Sequence, residues 1–509
     1  MPWHKARPAL SDAHHADTTT SSISNTDTLG NIHVPVPNLH AAIIAFDITP
    51  RFHPTCGAWG CNPTVTGVSL PLLGRCLVLQ TPDTRVIWFS FDLVGDDPSL
   101  TFKLRQAVAA RLDLTADDIL WGTCQNHSCG APPWSRFTGA VTADLSTSDP
   151  NFRQQEHDRF IQACADAARS ALDQLQPVTL HVGRGHCDAV SFNTRLALPD
   201  GTITFCRHHE HARHGPNVID PTIALLRFDD MRCRPIAAVL NFNMHLATMI
   251  NSPRISSDWL GTTRSIIEDA LDGRPLLFCQ GFCSDVNCHH LFGTHEDAAD
   301  TGARLAQAAL DTLPRLIPAR SLPLTIAHRT VEMKCQPMPS RDQWQQRIDD
   351  ARDFIDRLQR DPRLTFGCGI NLPPRSPVHD KIKIVESQLA YLRAAIDLLD
   401  RGAQPRTSLT YPISALRIGD VAAAFAPGEN FAATGIALRQ RSPFLHTLIG
   451  GDINGLFGNI FPDYEIAAGA CSLDSYYEIL ELDGFRLPPA PGTADQYLHE
   501  TLDLLQSLI

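Results

Sequence analysis

An α/β fold, with a mixed β-sheet core flanked by helices, is what this sequence predicts, and three observations predict it. Short apolar runs of strand character alternate with amphipathic helical segments over most of the chain. Several of those runs are apolar throughout, as strands buried on both faces are, and they end abruptly in polar turns. A stretch at about 338–406 breaks the alternation with two long, charged, helically periodic segments, which reads as an inserted helical hairpin.

The elements follow in order. Residues 1–38 are rich in Ser, Thr, Asp and His with few large apolar side chains, so they cannot bury enough surface to offset chain entropy and are expected to form a loose arm. Beyond it AAIIAFDI, RCLVLQT and RVIWFSFDLV read as strands, LTFKLRQAVAARL as a helix, DDILWGT as a strand and HDRFIQACADAARSALDQL as a helix. The strands VTLHVGRG, TIALLRF and AAVLNFN come next, then the helix TTRSIIEDALDG, the strand PLLFCQGF and the helix DAADTGARLAQAALDTL. The hairpin SRDQWQQRIDDARDFIDRLQRD and DKIKIVESQLAYLRAAIDLLDRG turns at the Pro-rich LPPRSP. Strand character resumes in LTYPISALRIGDVAAAFAPGE, and TADQYLHETLDLLQSLI closes the chain as an amphipathic helix. No internal repeat is evident. The expected layout is one α/β catalytic domain over 39–509 carrying the helical excursion.

Composition narrows the function. Of 509 residues 43% are hydrophobic and 19% charged, ordinary for a globular protein, and a net charge of −12 argues against nucleic acid as a partner. No apolar run reaches the roughly 18 residues of a membrane helix, and MPWHKARPALSDAHHADTTTSS lacks the apolar core of a secretory signal, so the expected address is the cytoplasm. The 15 cysteines are odd in number and scattered, many inside apolar strands, where cysteine behaves as a small buried hydrophobe. Spacings such as Cys56-x4-Cys61, Cys124-x4-Cys129 and Cys279-x3-Cys283 lack the paired geometry of a structural zinc site.

Four segments share one format, an apolar strand followed at once by a polar or Gly-bearing turn: QNHSCGAP (125–132), NMHLAT (243–248), QGFCSDVNCHH (280–290) and APGEN (426–430). Polar residues just beyond strand ends are where open α/β sheets place their binding and catalytic groups, so His127 and His245 face one crevice if their strands are neighbours. Imidazole and carboxylate hold catalytic Zn²⁺ with one position left open for water, and His127, His245, Asp285 and Glu429 could supply such a set. Metal-bound water ionises near neutrality and becomes a nucleophile for an amide or ester carbonyl. Each residue also has a structural reading: a strand-end histidine held by hydrogen bonds, a turn carboxylate at Glu429, a helix cap at Asp285. RHHEHARHG (207–215) reads as a solvated or substrate-facing loop, and the tandem His289 and His290 cannot both point the same way on an extended segment.

Taken in order, FDITP (46–50), FSFDLVG (89–95), QNHSCGAP, FNTR (192–195), NFNMH (241–245), ISSDWLG (255–261), CQGFCSDVN (279–287), PGENF (427–431) and the closing APG plus helix resemble the neutral/alkaline, non-lysosomal ceramidase family of amide hydrolases. The resemblance covers about residues 40–509. It implies a zinc amidase with an α/β catalytic domain and a cleft for an acyl amide, while the C-terminal β-sandwich of full-length ceramidases is not expected here. The family's first loop reads His-Thr-His, its earlier histidine a zinc ligand; that position is Gln125 here, and His127 is retained. His245 and Glu429 fall on the second and third ligands. The fourth is a tyrosine from a segment similar to INGLFGNIFPDY (453–464), where Leu456 and Asn459 bring no phenol. The serine of the family's Gly-Asp-x-Ser turn corresponds to Asn287, and Arg195 matches an arginine expected to face the substrate carbonyl and stabilise an oxyanion.

The leading expectation is therefore a hydrolase or acyl-transfer enzyme acting on an amide-type bond of a small molecule other than ceramide. In that reading His245 and Glu429 hold zinc with help from His127 or Asp285, while His127, Arg195 and Asp285 are catalytic. Gln125, Asn193 and Asn287 position substrate. Two alternatives stay open: a ligand-binding protein without turnover on the same fold, and a metal-free enzyme in which His127 is general base and Asp285 orients it. The expected partner is a small acyl amide or amine, and the chain is compatible with a homo-oligomer.

Overall fold

The computed structural model describes residues 38–51, 65–130, 132, 149–197, 203–205, 218–250, 252–368, 370–372, 377–467, 485 and 487–509. Residues 1–37 of the expected arm, the RHHEHARHG loop, Cys56, Cys61 and most of LPPRSP lie outside them.

Three larger sheets carry the architecture. The first runs Ile119–Thr123, Arg85–Phe91, Leu73–Gln80, His40–Asp47 and Gln176–Pro177 in spatial order. Leu276–Gln280, Pro235–Phe242, Thr222–Asp229, Thr179–His186 and Ile317–Ala319 form the second. Leu324–Lys334, Ser408–Ile418, Val421–Phe425 and His446–Gly450 form the third. All three are mixed, as expected, and share a plan: antiparallel strands plus one parallel pair at an edge. The pairs are Arg85–Phe91 with Ile119–Thr123, Pro235–Phe242 with Leu276–Gln280, and Val421–Phe425 with His446–Gly450. Each pair is bridged by one helix, Pro98–Ala109, Asp258–Ala270 or Ala432–Arg441, because parallel strands need a crossover. Sequence shows no repeat here, since each unit fills the same plan with different side chains.

Strand side chains alternate between two cores. Leu77, Trp88 and Leu120 of the first sheet, Val182, Leu226, Val239 and Leu277 of the second, and Leu416, Ala423, Phe425 and Leu448 of the third meet in one shared core. The opposite faces are covered by helices. Pro98–Ala109 and Pro150–Asp173 pack on Phe89, Phe91 and Trp121; Asp258–Ala270 and His295–Thr312 on Leu240, Phe242 and Phe278; Ala432–Arg441 and Thr493–Gln506 on Tyr411, Ile413 and Ile449. Burial on both faces is why these strands read as continuous apolar runs.

The helical insertion is present as Arg341–Arg360 and Val378–Asp400. A capping box starts the first helix, with Ser340 Oγ accepting from the Gln343 amide at 3.3 Å and the Gln343 side chain accepting from the Ser340 amide at 2.8 Å. The two helices share a core of their own built on Trp344, Ile348, Phe354, Leu358, Val385 and Tyr391, closed by Phe485 and Leu487.

Trp88 tests the shared core, because its ring, 1% exposed, packs edge-on against Phe425 of another sheet at 5.2 Å between centroids. Trp88→Ala is expected to remove about 3–5 kcal/mol of stability, read as a lowered urea midpoint. An unchanged midpoint would contradict a core common to the three sheets.

Candidate active site

The carboxyl ends of the parallel strands converge, and backbone hydrogen bonds tie their loops together. The His127 amide donates to the Leu246 carbonyl at 2.8 Å, and Asn126 bridges Leu246 in parallel. Gly281 N donates to Phe242 O at 2.9 Å and Gly451 N to Gln280 O at 2.9 Å; Ile453 N donates to Ala426 O at 3.0 Å and Thr123 N to Asp452 O at 3.1 Å. The buried Asn126 side chain locks the first loop, donating to the carbonyls of Asp92 and Ser256 and accepting from the Ser128 amide. The two strands are not neighbours, since they belong to different sheets, but these bonds bring their histidines together: the ring centroids of His127 and His245 lie 5.4 Å apart.

Glu429 sits at the centre. Gln125 Nε2 donates to its Oε1 at 2.6 Å, and His245 Nε2 lies 3.2 Å from its Oε2. The other ring nitrogen of His245, Nδ1, is 3.0 Å from the Val286 carbonyl, which can only accept, so Nδ1 carries a proton. Burial works against charge on this imidazole, but the Cys283 thiol, within hydrogen-bonding reach, and then Glu429 outweigh it and hold the pKa well above the ordinary histidine value. The surroundings of His245 therefore favour its charged form beside the Glu429 carboxyl. Gln125 reaches Glu429 from a left-handed backbone, φ 51°, a conformation that costs a side-chain-bearing residue energy and recurs at functional sites.

The other expected site residues are placed differently. Asp285 commits both oxygens, Oδ1 to the Ala432 amide at 2.8 Å and Oδ2 to Asn193 Nδ2 at 2.7 Å. Its role in the geometry is to join the strand-end loop to the helix Ala432–Arg441. Asn193 Nδ2 also donates to Val218 O at 2.9 Å, while its Oδ1 accepts from the Arg195 amide at 2.8 Å, so its amide is committed to structure. Arg195 pairs through Nε and Nη2 with the buried Glu465 at 3.0 and 2.8 Å, its guanidinium 5.9 Å from the ring centroids of both Phe431 and Phe461. Asn287 is buried, and its Oδ1 meets no donor. Asn459, at one of the expected tyrosine positions, accepts from Ser284 Oγ at 2.7 Å.

Two residues join the cluster that the motif reading passed over. Cys283, in the middle of QGFCSDVN, is 1% exposed, as its apolar setting predicts, and burial pushes its thiol up to about 11 against the pull of His245. Asp452 follows the strand His446–Gly450 in a Gly-Gly-Asp turn, the same strand-then-polar-turn format that picked out the other four segments. Burial and then the charge of Glu429 hold its carboxyl well above the usual range, with His245 and the neighbouring Gln125 only partly offsetting them.

No protein-family model matches this sequence, and no curated protein matches it. Solved structures do. A crystal structure of neutral ceramidase from Pseudomonas aeruginosa superposes with a TM-score of 0.61 at 17% identity, covering 93% of this chain and 74% of that one. A ceramidase complexed with C2 gives 0.63 at 16%, covering 93% and 75%. The chain has the ceramidase fold. The zinc ion implied by the family resemblance is a separate matter, tested by the donors. Among the described residues, no three His, Cys, Asp or Glu side chains converge closely enough to hold a metal. Oε1 of Glu429 is taken by the Gln125 amide, which stands where the resemblance expects an imidazole ligand, and Leu456 and Asn459 supply no phenol. The residues present do not fit that zinc ion.

Burial pushes the Asp285 carboxyl up to about 6 despite its hydrogen bonds to Ala432 and Asn193. A raised folded-state pKa means the folded protein holds this proton more tightly than the unfolded chain. Its contribution to stability is full below the unfolded value near 4 and is lost as pH rises through about 6. Asp285→Asn is expected to flatten that part of the stability profile, removing a slope worth roughly 2–3 kcal/mol between pH 4 and 6.5. Parallel wild-type and variant profiles would show that Asp285 does not titrate there.

Proposed function

We propose that this protein hydrolyses the amide bond of a small N-acyl substrate at the His245–Glu429 pair. The observation that carries the reading is that buried pair, 3.2 Å apart at the carboxyl ends of parallel strands, in a fold shared with two ceramidases. Glu429 is positioned by Gln125 to take a proton from an attacking water, and the His245 imidazolium is the positive charge nearest to the oxyanion that forms. Collapse of the tetrahedral intermediate breaks the C–N bond, and the proton held on the pair passes to the leaving amine. Run in reverse, the same steps join a carboxylic acid to an amine and release water, and with an amine in place of water they pass the acyl group from one nitrogen to another. Arg195, already held by Glu465, belongs to the wall of the site in this reading, and no step passes through a metal.

The test is turnover of a panel of N-acyl amides by the purified full chain. Glu429→Gln and His245→Ala are each expected to lower kcat/KM by about 10²–10⁴ with the circular dichroism spectrum unchanged. Gln125→Ala is expected to cost less, on the order of tenfold, since it removes a positioning hydrogen bond. A chelator is expected to leave the rate unchanged. Activity that a chelator abolishes and zinc restores would overturn the metal-independent chemistry, and no turnover of any amide would leave a ligand-binding protein on the ceramidase fold.

A further inference from the structure

Among the described residues of the cluster, Asp452 is a carboxyl with both oxygens left without a donor. Its side chain is 1% exposed, and neither carboxyl oxygen meets a donor in hydrogen-bonding geometry; the Gln125 amide, which donates to Glu429, lies alongside. Its backbone is left-handed, φ 54°, and is held so by two neighbours: its amide donates to Gly428 O at 3.4 Å and its carbonyl accepts from Thr123 N at 3.1 Å. Those bonds put Asp452 beside both the Glu429 turn and the Gln125 loop. A buried carboxyl in a strained backbone with no donor is costly to keep, and such a residue persists where a bound group completes it.

The group that completes it must donate hydrogen bonds and carry, or readily take, positive charge. Asp452 offers two buried acceptor oxygens beside Glu429 and Gln125, so a donor group, and above all a cationic one, is what fits against it. We propose that Asp452 anchors the amine side of the substrate, holding the amide N–H in the bound substrate and the alkylammonium in the product, which makes the protein selective for amides that release a small primary amine. This rests on the amidase reading of the same site. The reacting carbonyl lies at Glu429 and His245 and the nitrogen at Asp452, neighbouring residues for neighbouring atoms.

Hexylammonium and the uncharged 1-hexanol, titrated calorimetrically into the purified full chain at neutral pH, separate the possibilities. Hexylammonium is expected to bind the wild type and to lose about tenfold or more in affinity in Asp452→Asn, while 1-hexanol binds both weakly and alike. Equal binding of the two probes, or hexylammonium affinity unchanged in the variant, would overturn the proposal. So would a divalent cation, Zn²⁺ or Ca²⁺, that binds through Asp452 and displaces hexylammonium, because the missing charge would then be a metal's. If Asp452→Asn does not fold, inhibition of the wild type decides: hexylammonium competing with substrate where 1-hexanol does not supports the site, and equal inhibition overturns it. The two readings fail separately. Hexylammonium bound through Asp452 with no amide turned over sinks the amidase and keeps the amine site; turnover with amine affinity indifferent to Asp452→Asn does the reverse.

Discussion

Everything at the candidate site depends on the backbone hydrogen bonds that join the carboxyl ends of three separate sheets. A parallel strand pair leaves the carbonyls at its ends unpaired, and a buried carbonyl without a donor costs free energy. Here the loop of one sheet supplies the donor for the next: His127 N to Leu246 O, Gly451 N to Gln280 O, Thr123 N to Asp452 O. The bonds that satisfy the strand ends therefore also bring residues more than 300 apart in sequence, such as Gln125 and Glu429, into contact. The shared core behind them, from Trp88 to Phe425, keeps the three ends at fixed spacing. Packing between sheets and geometry of the site are one constraint.

Small residues matter where loops pass closest. A Cβ on Gly281 would lie 1.5 Å from Asn243 Oδ1, and one on Gly451 would lie 3.0 Å from the Gly281 carbonyl. Glycine at 281 lets two strand ends of the second sheet close on each other, and glycine at 451 lets the turn of the third sheet come up against the Gly281 carbonyl. The carboxyl groups of the cluster are unevenly served: Glu429 has His245 and Gln125, Asp285 has Asn193 and the Ala432 amide, and Asp452, among the described residues, meets no donor in hydrogen-bonding geometry. That inequality separates a structural carboxylate from one poised for a ligand.

The fold class was legible because burial on both faces writes itself as uninterrupted apolar runs, as in RVIWFSF and LLFCQ, and the hairpin was legible because its helices are long, charged and periodic. Strand order was not, since pairing between Pro235–Phe242 and Leu276–Gln280 leaves no local mark. At the site, His127, His245 and Glu429 were found by their place after strands, and the structure brings them together. Gln125 was noticed for what it replaces, yet its bond to Glu429 is a tertiary fact. Arg195 was expected to face substrate; its partner Glu465 lies 270 positions away, and only the fold joins them. Asp452 obeyed the same strand-end rule but followed a strand, HTLIG, too short and mixed in composition to stand out.

Gln125 bears on how such a scaffold changes its chemistry. An imidazole at that position could offer a lone pair to a metal; a primary amide offers N–H groups, and one of them donates to Glu429 at 2.6 Å. Exchanging acceptor for donor turns a carboxylate that would otherwise need a cation into one held by a neutral hydrogen bond and by His245. The missing phenol at Leu456 and Asn459 acts in the same direction, because Leu456 is buried as an apolar side chain and Asn459 is bonded to Ser284. The departures from the ligand set that the resemblance implies are thus mutually consistent: each position holds a packed or hydrogen-bonded side chain. What they leave without a replacement is a donor for Asp452, whose two buried oxygens meet none in hydrogen-bonding geometry.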